Sequence, residues 1–336
     1  MESIQAPVRP LRIVIPGGSG QVGQLLARHF QNRGHNVTVL TRGPYAAPWQ
    51  TVHWDGVHLG PWTETLEGAD VCINLAGQSV NCRYTAKNRA AIYNSRINTT
   101  RLLGRVIAQL ASPPRVWLNA STATIYRHTM DRPGLDWPMS ESNGELGGNE
   151  LISGRRRAPG TWNFSIRVAK AWEAAFFQSQ TPRTRKVAMR SAITFSPMPG
   201  NAFAILLNLV RFSLGGTQGS GRQFVSWIHE ADFARAVEFL IEREELDGVV
   251  NIAAPNPLPN REFMEELRDA WDMPNGFPAP APLIELAAFF LRTESELVLK
   301  SRRVVPGRLL DAGFEFEFPE WREAAEDLVR RWRSRE

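Results

Sequence analysis

A chain of 336 residues is long enough for one large domain or two ordinary ones with a substantial apolar core. Charged residues make up 22% and apolar residues 43% of the sequence, which is typical of a soluble globular protein. The net charge of +5 comes with no nucleic-acid-binding signature, and the apolar run Leu286 to Leu291 is too short to cross a bilayer. We therefore expect neither a nucleic-acid nor a membrane partner, and the positive charge suits an anionic cofactor or substrate.

The N-terminus and the cysteines indicate the cellular compartment. Residues 1–5 lack a basic segment followed by an apolar one, so no secretory signal is predicted. Cys72 lies in an apolar strand-like run and Cys82 is the only other cysteine, so no disulfide framework is expected and a cytoplasmic location is predicted. The cysteines and histidines do not have the spacing of metal ligands, and no metal site is predicted.

The first half of the sequence alternates strand and helix patterns. Leu11–Ile15 is a short β-rich run, and the apolar stripe that begins at Val22 has helical spacing until Gly34 ends it. Further strands are predicted at 36–40, 69–75 and 115–119, with a long helix at about 87–110. Strands separated by helices predict parallel pairing, so the fold class is α/β, a Rossmann-type doubly wound parallel sheet.

The second half is predicted to add a smaller, mixed domain. Residues 127–162 are rich in Gly, Pro, Ser and Arg and are expected to form a long loop. The later elements are a helix near Asn163, a strand at 186–190, helices at 201–212, 230–243 and 261–271, and a linker or extended crossing at 274–282. We assign 1–195 and about 222–254 to the Rossmann domain, and 196–221 and 255–336 to a substrate-binding C-terminal domain. The oligomeric state stays open between monomer and homodimer.

A glycine-rich loop joins the first strand to the first helix. It reads Gly17-Gly18-Ser19-Gly20-Gln21-Val22-Gly23, with glycines three residues apart at 17, 20 and 23. This spacing permits a tight turn, close approach of a pyrophosphate and close packing of helix on strand. The N-terminus of the helix adds free N–H groups and a positive dipole. The loop therefore predicts a dinucleotide site formed by Gly17, Gly20, Gln21, Val22 and Gly23, the alternative being an ordinary turn.

The residues after the second strand indicate which nicotinamide cofactor is bound. An NAD site usually has an acidic residue there, to hold the ribose 2′-hydroxyl group. No acidic residue occurs between Glu2 and Asp55, and the position reads Thr41-Arg42. Because a guanidinium pairs well with a phosphate, we predict NADP as the cofactor, with NADPH preferred over NADH. The alternative is that Arg42 is a solvated loop residue.

Motifs in both halves resemble one known family. The first-half motifs are the glycine loop, Asn74-Leu75-Ala76-Gly77, Ser95-Arg96-Ile97-Asn98-Thr99-Thr100, Ser121-Thr122-Ala123-Thr124-Ile125-Tyr126 and Trp172-Glu173. The second-half motifs are Gly219-Ser220-Gly221-Arg222-Gln223, Ser226-Trp227-Ile228-His229, Asp232, Asn251, Asn260-Arg261-Glu262-Phe263 and the tail from Pro306 to Phe318. Over nearly its whole length the chain resembles the extended or atypical short-chain dehydrogenase/reductases, specifically the epimerase-family proteins with a distinctive C-terminal domain.

The resemblance implies a Rossmann domain that binds NADP, with substrate entering between it and the C-terminal domain. Carried over by position, Leu75, Ala76 and Gly77 would line the cofactor, and Arg96 would reach towards it from the following helix. Ser121 belongs to the same predicted cofactor set. The natural substrate of these proteins is generally not established, so the resemblance implies no particular compound.

The acid/base of this superfamily is missing from the sequence. The superfamily uses Tyr-x-x-x-Lys, yet none of the four tyrosines has a lysine four positions later. With the register set by Glu173, the expected tyrosine and lysine positions hold Ser165 and Ala169. A serine hydroxyl without assistance is too weak to replace the tyrosine. Lys170 lies about 100° round the helix from the expected face and is interpreted as a surface residue.

Three residues are candidates for the chemistry instead. Thr122 follows a strand at the edge of the sheet where ligands bind, and is expected to hold a substrate oxygen unless it only satisfies backbone groups. Tyr126 is a candidate proton donor at the mouth of the site, with core packing as its alternative. Glu141, in the long loop, is a candidate base.

Further residues are candidates for contact with a small-molecule substrate, for which the basic charge leaves an anion open. They are Arg190, Gln223 and Trp227, together with Arg302 and Arg303, and solvation or packing is the alternative for each. His229 and Asp232 are interpreted as structural. The sequence thus predicts an NADP-binding, epimerase-like oxidoreductase of a carbonyl or hydroxyl compound. The alternative is a catalytically silent NADP-binding sensor or partner-binding protein.

Overall fold

The computed structural model describes residues 9–128, 137–148, 151–152, 156–157, 160–290 and 294–335. The strands are β1 Arg12–Pro16, β2 Asn36–Thr41, β3 Gln50–His53, β4 Val71–Asn74, β5 Val116–Thr122, β6 Leu151–Ile152, β7 Arg156–Arg157, β8 Arg185–Ser191, β9 Ile193–Phe195, β10 Phe224–Val225, β11 Trp227–His229, β12 Gly248–Ile252 and β13 Leu258–Pro259. The helices are α1 Gln21–Asn32, α2 Ala86–Gln109, α3 Gly160–Phe177, α4 Ala202–Arg211, α5 Glu230–Glu242, α6 Asn260–Trp271, α7 Ala281–Phe290, α8 Glu296–Leu299, α9 Gly307–Asp311 and α10 Trp321–Arg333.

A seven-stranded sheet in the order β12-β8-β5-β4-β1-β2-β3 organises the molecule. Every neighbouring pair in it is parallel, and helices make most of the connections between the strands, so the predicted Rossmann-type doubly wound sheet is confirmed. The strand order changes direction between β1 and β4. In such sheets this is where the carboxyl ends of the strands leave a crevice for a ligand.

The first helix forms where its sequence pattern predicts it. Leu26, Ala27 and Phe30 repeat at helical spacing and are fully buried against the sheet. Gly34, with φ of +80°, then supplies the left-handed turn that ends the helix and starts β2. The next long helix, α2, begins at Ala86 because the Thr85 hydroxyl accepts the N–H of Asn88.

The C-terminal third builds a second apolar core. Its centre holds Phe195, Trp227, Phe263 and Trp321, with Phe263 and Trp321 stacked at 4.1 Å between ring centroids. This core joins α4, α6 and α10 to strands β9 and β11. It therefore contains residues from both of the predicted domains, and the predicted boundaries stay a prediction.

Two regions differ in detail from the sequence prediction. The loop predicted at 127–162 lies partly outside the described residues, and the described part contains the antiparallel pair β6–β7 and the first residues of α3, which begins at Gly160. The proline-rich stretch at 274–282 runs extended, and its Ala279 forms a parallel β-bridge with Gln218 before α7 begins at Ala281. None of the helices in the described ranges combines the length and apolar character needed to cross a membrane.

Candidate functional site

The glycine loop between β1 and α1 has the close contacts that its spacing predicts. Gly17 has φ of +76°, and a Cβ there would lie 2.7 Å from the backbone of Ala76. A Cβ on Gly23 would lie 2.4 Å from Cα of Gly18. The first loop therefore touches the loop after β4, and α1 packs closely on the turn. Both contacts require glycine.

The N-terminus of α1 is open to an anion. Gly20 provides no capping side chain, and the first turn contains no acidic residue. The side chain of Gln21 donates to the Pro199 carbonyl at 2.9 Å, and its backbone N–H lies at the first turn of the helix. With Val22 and Gly23 it presents the N–H groups that a helix leaves without partners in its first turn. These residues stay predicted cofactor ligands.

Thr41 and Arg42 lie at the carboxyl end of β2. The buried Thr41 hydroxyl donates to the Gly43 carbonyl at 3.1 Å and shapes the turn. Arg42 is exposed, and within the described ranges no carboxylate or carbonyl pairs with its guanidinium. A cation in this position is available for a phosphate on the adenosine ribose.

Arg96 of α2 is a half-buried cation beside the loop after β4. Its guanidinium donates to the carbonyls of Gln78 and Ile92 at 3.0 and 3.1 Å and lies 5.1 Å from the ring of Trp172. Burial lowers the pKa of Arg96 to about 10. It lies against Gly77, where a Cβ would be 3.0 Å from its Cζ. The guanidinium thus faces Gly77 in the predicted cofactor lining, which also includes Leu75 and Ala76.

Ser121, Glu173 and Arg190 form a buried polar network, which corrects the prediction for Arg190. Ser121 donates to Glu173 at 2.6 Å, and its predicted contact with the cofactor stays a prediction. Arg190 makes two hydrogen bonds of 2.8 Å to the Glu173 carboxylate, so its guanidinium is committed to the core and not to a substrate. Such a doubly bonded pair satisfies both charges away from water.

Tyr126 belongs to the same network, so its predicted place at the mouth of the site is wrong. Its side chain is 0% exposed, and its hydroxyl donates to Asn251 at 2.9 Å while accepting from Arg190 at 3.0 Å. Burial raises the pKa of Tyr126. With both functions of the hydroxyl satisfied inside the protein, Tyr126 is a packing residue, the alternative that its sequence context left open.

The prediction that Glu141 is a base is also corrected, because its carboxylate binds backbone N–H groups. Its two carboxylate oxygens accept the N–H groups of Asn251 at 2.7 Å and of Arg308 at 3.2 Å. Asn251 lies in β12, the edge strand of the sheet, and Arg308 lies in α9. The carboxylate therefore covers a strand edge and fixes the start of α9. It lies at the opposite side of the sheet order from the β1–β4 crevice.

Thr122 ends β5 and stays a candidate. Its hydroxyl accepts the N–H of Thr124 at 3.2 Å, which starts a short turn of helix at 123–125. The side chain is half-buried, and its own proton is free to reach a ligand. This contact satisfies a backbone group, as the structural interpretation of Thr122 predicts. It does not prevent the hydroxyl from also holding a substrate oxygen, so that role of Thr122 stays a prediction.

The other predicted substrate residues are structural. Gln223 is buried and donates to the Gln218 carbonyl at 2.6 Å, and Trp227 lies in the core 5.1 Å from Trp321. Both predictions are corrected because their polar groups are satisfied within the fold. Arg302 donates to Glu296 at 3.3 Å, and Arg303 lies 4.5 Å from the ring of Phe224.

One polar cluster was missed by the sequence prediction. It joins the loop after β4, α3 and the segment around α8 through Tyr84, Ser165 and Glu296. The signal in the sequence was Ser165 itself, because a serine at the expected tyrosine position calls for a hydroxyl from elsewhere. The described residues contain no group of three side chains suited to a metal ion.

His128 connects α3 to the segment after α8 and makes the fold sensitive to pH. Its Nδ1 accepts the N–H of Ser301 at 3.0 Å, and its ring packs on Trp162 with centroids 5.1 Å apart. Burial first, and then the charges of Lys300 and Arg302, lower the pKa of His128 to about 4. The folded state therefore favours the neutral imidazole.

We expect acid to destabilise the protein through His128. An unfolded histidine has a pKa of about 6.5, so the unfolded chain takes up the proton first and this residue costs about 2 kcal/mol of unfolding free energy between pH 7 and pH 5. The loss grows as the pH falls from about 6.5 towards the folded pKa. Urea denaturation at both pH values should show a smaller loss for His128→Asn, and equal losses would contradict the assignment.

Known proteins resemble this chain over nearly its whole length. The profile of the NAD dependent epimerase/dehydratase family matches residues 13–142, and that of a domain of unknown function, DUF1731, matches 279–328. The epimerase family protein SDR39U1 of Mus musculus is 31% identical over 327 residues, which cover 95% of this chain and 100% of the mouse protein.

Solved structures resemble it in fold as well. The crystal structure of human epimerase family protein SDR39U1 (isoform 2) with NADPH is 27% identical, with a TM-score of 0.80, covering 95% of this chain and 99% of that one. A nucleoside-diphosphate sugar epimerase from Corynebacterium glutamicum is 25% identical, with a TM-score of 0.72, covering 96% of this chain and 59% of that one. The resemblance seen in the sequence motifs is confirmed: this chain belongs to the NAD dependent epimerase/dehydratase family, among the epimerase family proteins similar to SDR39U1.

Proposed function

We propose that this protein binds NADP(H) at the N-terminus of α1 and acts as an epimerase-like oxidoreductase on a small carbonyl or hydroxyl compound. The observation that carries the proposal is the uncapped N-terminus of α1, which follows a loop that packs against Ala76 through a contact that only glycine permits at position 17. This arrangement leaves N–H groups and a positive dipole for a pyrophosphate. A human relative solved with NADPH supports the same cofactor class.

Different residues of the proposed site would hold different parts of the cofactor and the substrate. Gln21, Val22 and Gly23 would hold the pyrophosphate through backbone N–H groups, and Arg96 adds a half-buried cation that contacts two carbonyls and the face of Trp172. When bound, the nicotinamide exchanges a hydride with the substrate carbon. Thr122, at the end of β5, would position the substrate oxygen. A substrate would enter between the sheet edge and the C-terminal segment.

The preference for NADPH is argued from Arg42. Its guanidinium is exposed at the end of β2 and has no ion-pair partner in the part of the chain that the structure describes. The nearest acidic residue further along the chain, Asp55, already accepts the N–H groups of Val57 and His58. A guanidinium there favours the extra phosphate of NADPH, and no carboxylate stands ready for the free 2′-hydroxyl of NADH.

The preference predicts a selective loss in Arg42→Gln. Charge-assisted hydrogen bonds contribute about 1.5–3 kcal/mol, so the affinity for NADPH should fall roughly 10- to 100-fold while that for NADH stays unchanged. Calorimetric titration with both cofactors measures this. The control is Arg28→Gln, which removes the same charge from an exposed position on α1. Wild-type affinities that are equal, or tighter for NADH, would overturn the preference.

A second candidate is a catalytically silent NADP-binding sensor. It is favoured by the absence of Tyr-x-x-x-Lys from the sequence and by the structural commitments of Tyr126 and Glu141. The two candidates are separated by following NADPH absorbance with a panel of aldehydes, diketones and nucleotide-linked keto sugars. Cofactor binding without any turnover would favour the sensor.

A further inference from the structure

Tyr84 is a buried phenol at the edge of the proposed cofactor site. It lies in the loop after β4, only 8% exposed, and its ring meets that of Phe164 of α3 at 5.1 Å in an edge-to-face arrangement. Ile92 of α2 and Val168 of α3 complete the apolar contact around the ring. The ring is thus fixed between α2 and α3, and its hydroxyl lies next to Ser165 of α3.

Tyr84, Ser165 and Glu296 form a chain of hydrogen bonds, and the protons available on these groups set its direction. Ser165 donates its proton to Glu296 Oε2 at 2.7 Å, and the hydroxyls of Tyr84 and Ser165 lie 3.4 Å apart. Because a serine has one proton and Ser165 gives it to a carboxylate, Tyr84 is the donor to Ser165. The oxygen of Tyr84 keeps its lone pairs for an incoming hydroxyl group.

The carboxylate that ends the chain is buried beside two cations. Glu296 is 2% exposed, and its other oxygen, Oε1, lies 3.3 Å from Arg302 and 3.8 Å from Lys300. The two oxygens therefore face different partners: cations on one side and the Ser165 hydroxyl on the other. Glu296 thus completes a continuous path of hydrogen bonds that begins at Tyr84 and passes through Ser165.

The hydroxyl of Tyr84 also lies within electrostatic reach of the cofactor-facing cation. Burial raises the pKa of Tyr84 and the charges of Glu296 and Glu294 raise it further, while the hydrogen bond with Ser165 and the charge of Arg96 lower it. The guanidinium of Arg96 lies against Gly77, next to Ala76, which contacts Gly17, and in the same loop as Tyr84. Tyr84 thus stands between the proposed cofactor lining and the C-terminal segment.

We infer that Tyr84 is the acid/base of this protein and that Ser165 and Glu296 relay its proton, in place of a tyrosine and lysine on α3. The inference rests on the proposed function. In alcohol oxidation, the substrate O–H proton passes to the Tyr84 oxygen, the Tyr84 proton to Ser165 and the Ser165 proton to Glu296, while the hydride leaves the substrate carbon for NADP⁺. Reduction runs the same transfers backwards from protonated Glu296.

The arrangement explains why Ser165 and Ala169 stand where relatives are expected to have tyrosine and lysine. A serine leaves room for a phenol that arrives from the loop after β4 and supplies the link between that phenol and Glu296. Ala169 packs in an apolar cluster with Tyr126 and Val304. In place of a lysine on α3, the positive charge near the site would come from Arg96 of α2.

The inference predicts a loss of turnover without a loss of cofactor binding. General acid/base groups contribute about 100- to 10,000-fold, so Tyr84→Phe should lower kcat at least 100-fold on the best compound of the carbonyl panel. Ser165→Ala and Glu296→Gln should lower kcat less and shift its pH profile. The affinity for NADPH should be unchanged in all three variants. Tyr93→Phe, which removes a hydroxyl from an exposed position on α2, is the control.

A second readout needs no substrate. A positive charge nearby favours the phenolate, so NADP⁺, whose nicotinamide ring is cationic, should lower the pKa of Tyr84 relative to NADPH. NMR of isotope-labelled tyrosine Cζ, assigned with Tyr84→Phe, follows that pKa in both complexes. A Tyr84 signal that responds equally to the two cofactors, or a Tyr84→Phe variant with wild-type turnover, would overturn the inference. Failure of either cofactor to bind in calorimetry would instead overturn the proposed function.

Discussion

Replacing Gly17 by alanine should reduce NADPH affinity at least about 100-fold, equivalent to roughly 2.8 kcal/mol. The backbone of Gly17 is in the left-handed region, with φ of +76°, and an added Cβ would lie 2.7 Å from the backbone of Ala76. Backbone atoms cannot move aside as a flexible side chain does, so the loop must shift. That shift displaces the N–H groups of α1 from the place where we propose the pyrophosphate binds.

Gly34 offers a matched control for the backbone strain. It has φ of +80°, yet a Cβ there would have open space around it. Gly34→Ala should therefore cost about 1–2 kcal/mol of stability, the penalty of a left-handed L-residue, and leave NADPH affinity unchanged. Calorimetric titration measures the NADPH affinity of both variants, and thermal denaturation measures their stability. Together they separate the effect of backbone strain from that of the contact with Ala76. A Gly17→Ala protein that binds NADPH like the wild type would show that the cofactor does not use this loop.

The parts of the fold that sequence predicts well are those encoded within one short segment. The end of β1, the glycine spacing and the start of α1 are contiguous, so the loop and its contact with a helix N-terminus could be predicted together. The edge strands β3 and β12 could not. β3 is mostly exposed and has no apolar run, and β12 contains Asn251, a polar residue whose burial depends on Tyr126 and Glu141.

The roles of single polar residues were predicted less well because their partners lie far away in the chain. Nothing near Tyr126 shows that its hydroxyl meets Arg190 and Asn251 instead of a substrate. In the same way, Tyr84, Ser165 and Glu296 come from three segments that only the packed structure brings together. A pattern in the sequence predicts that a polar residue stands at the sheet edge, and tertiary contacts decide which way it points.

The buried pair of Arg190 and Glu173 should dominate the response of stability to mutation. Arg190→Met removes both 2.8 Å hydrogen bonds to Glu173 and the donor to Tyr126, leaving a carboxylate in the core with only the Ser121 hydroxyl. Breaking such a pair from one side costs about 3–5 kcal/mol, because the remaining charge is uncompensated. Urea denaturation measures the loss, and Arg190→Met together with Glu173→Leu should cost less than the sum of the single changes.

An exposed ion pair gives the comparison that makes this result interpretable. Arg322 pairs with Asp269 and Glu266 at 3.4 and 3.6 Å on the surface, where such pairs contribute at most about 1 kcal/mol. Arg322→Met should therefore leave the free energy of unfolding nearly unchanged. If Arg190→Met cost no more than Arg322→Met, the guanidinium of Arg190 would not be holding the core, and a substrate contact would again be its best interpretation. A large loss confined to Arg190→Met instead assigns the network around Tyr126 to the scaffold and directs the search for the acid/base to other groups, of which we infer Tyr84 to be the one.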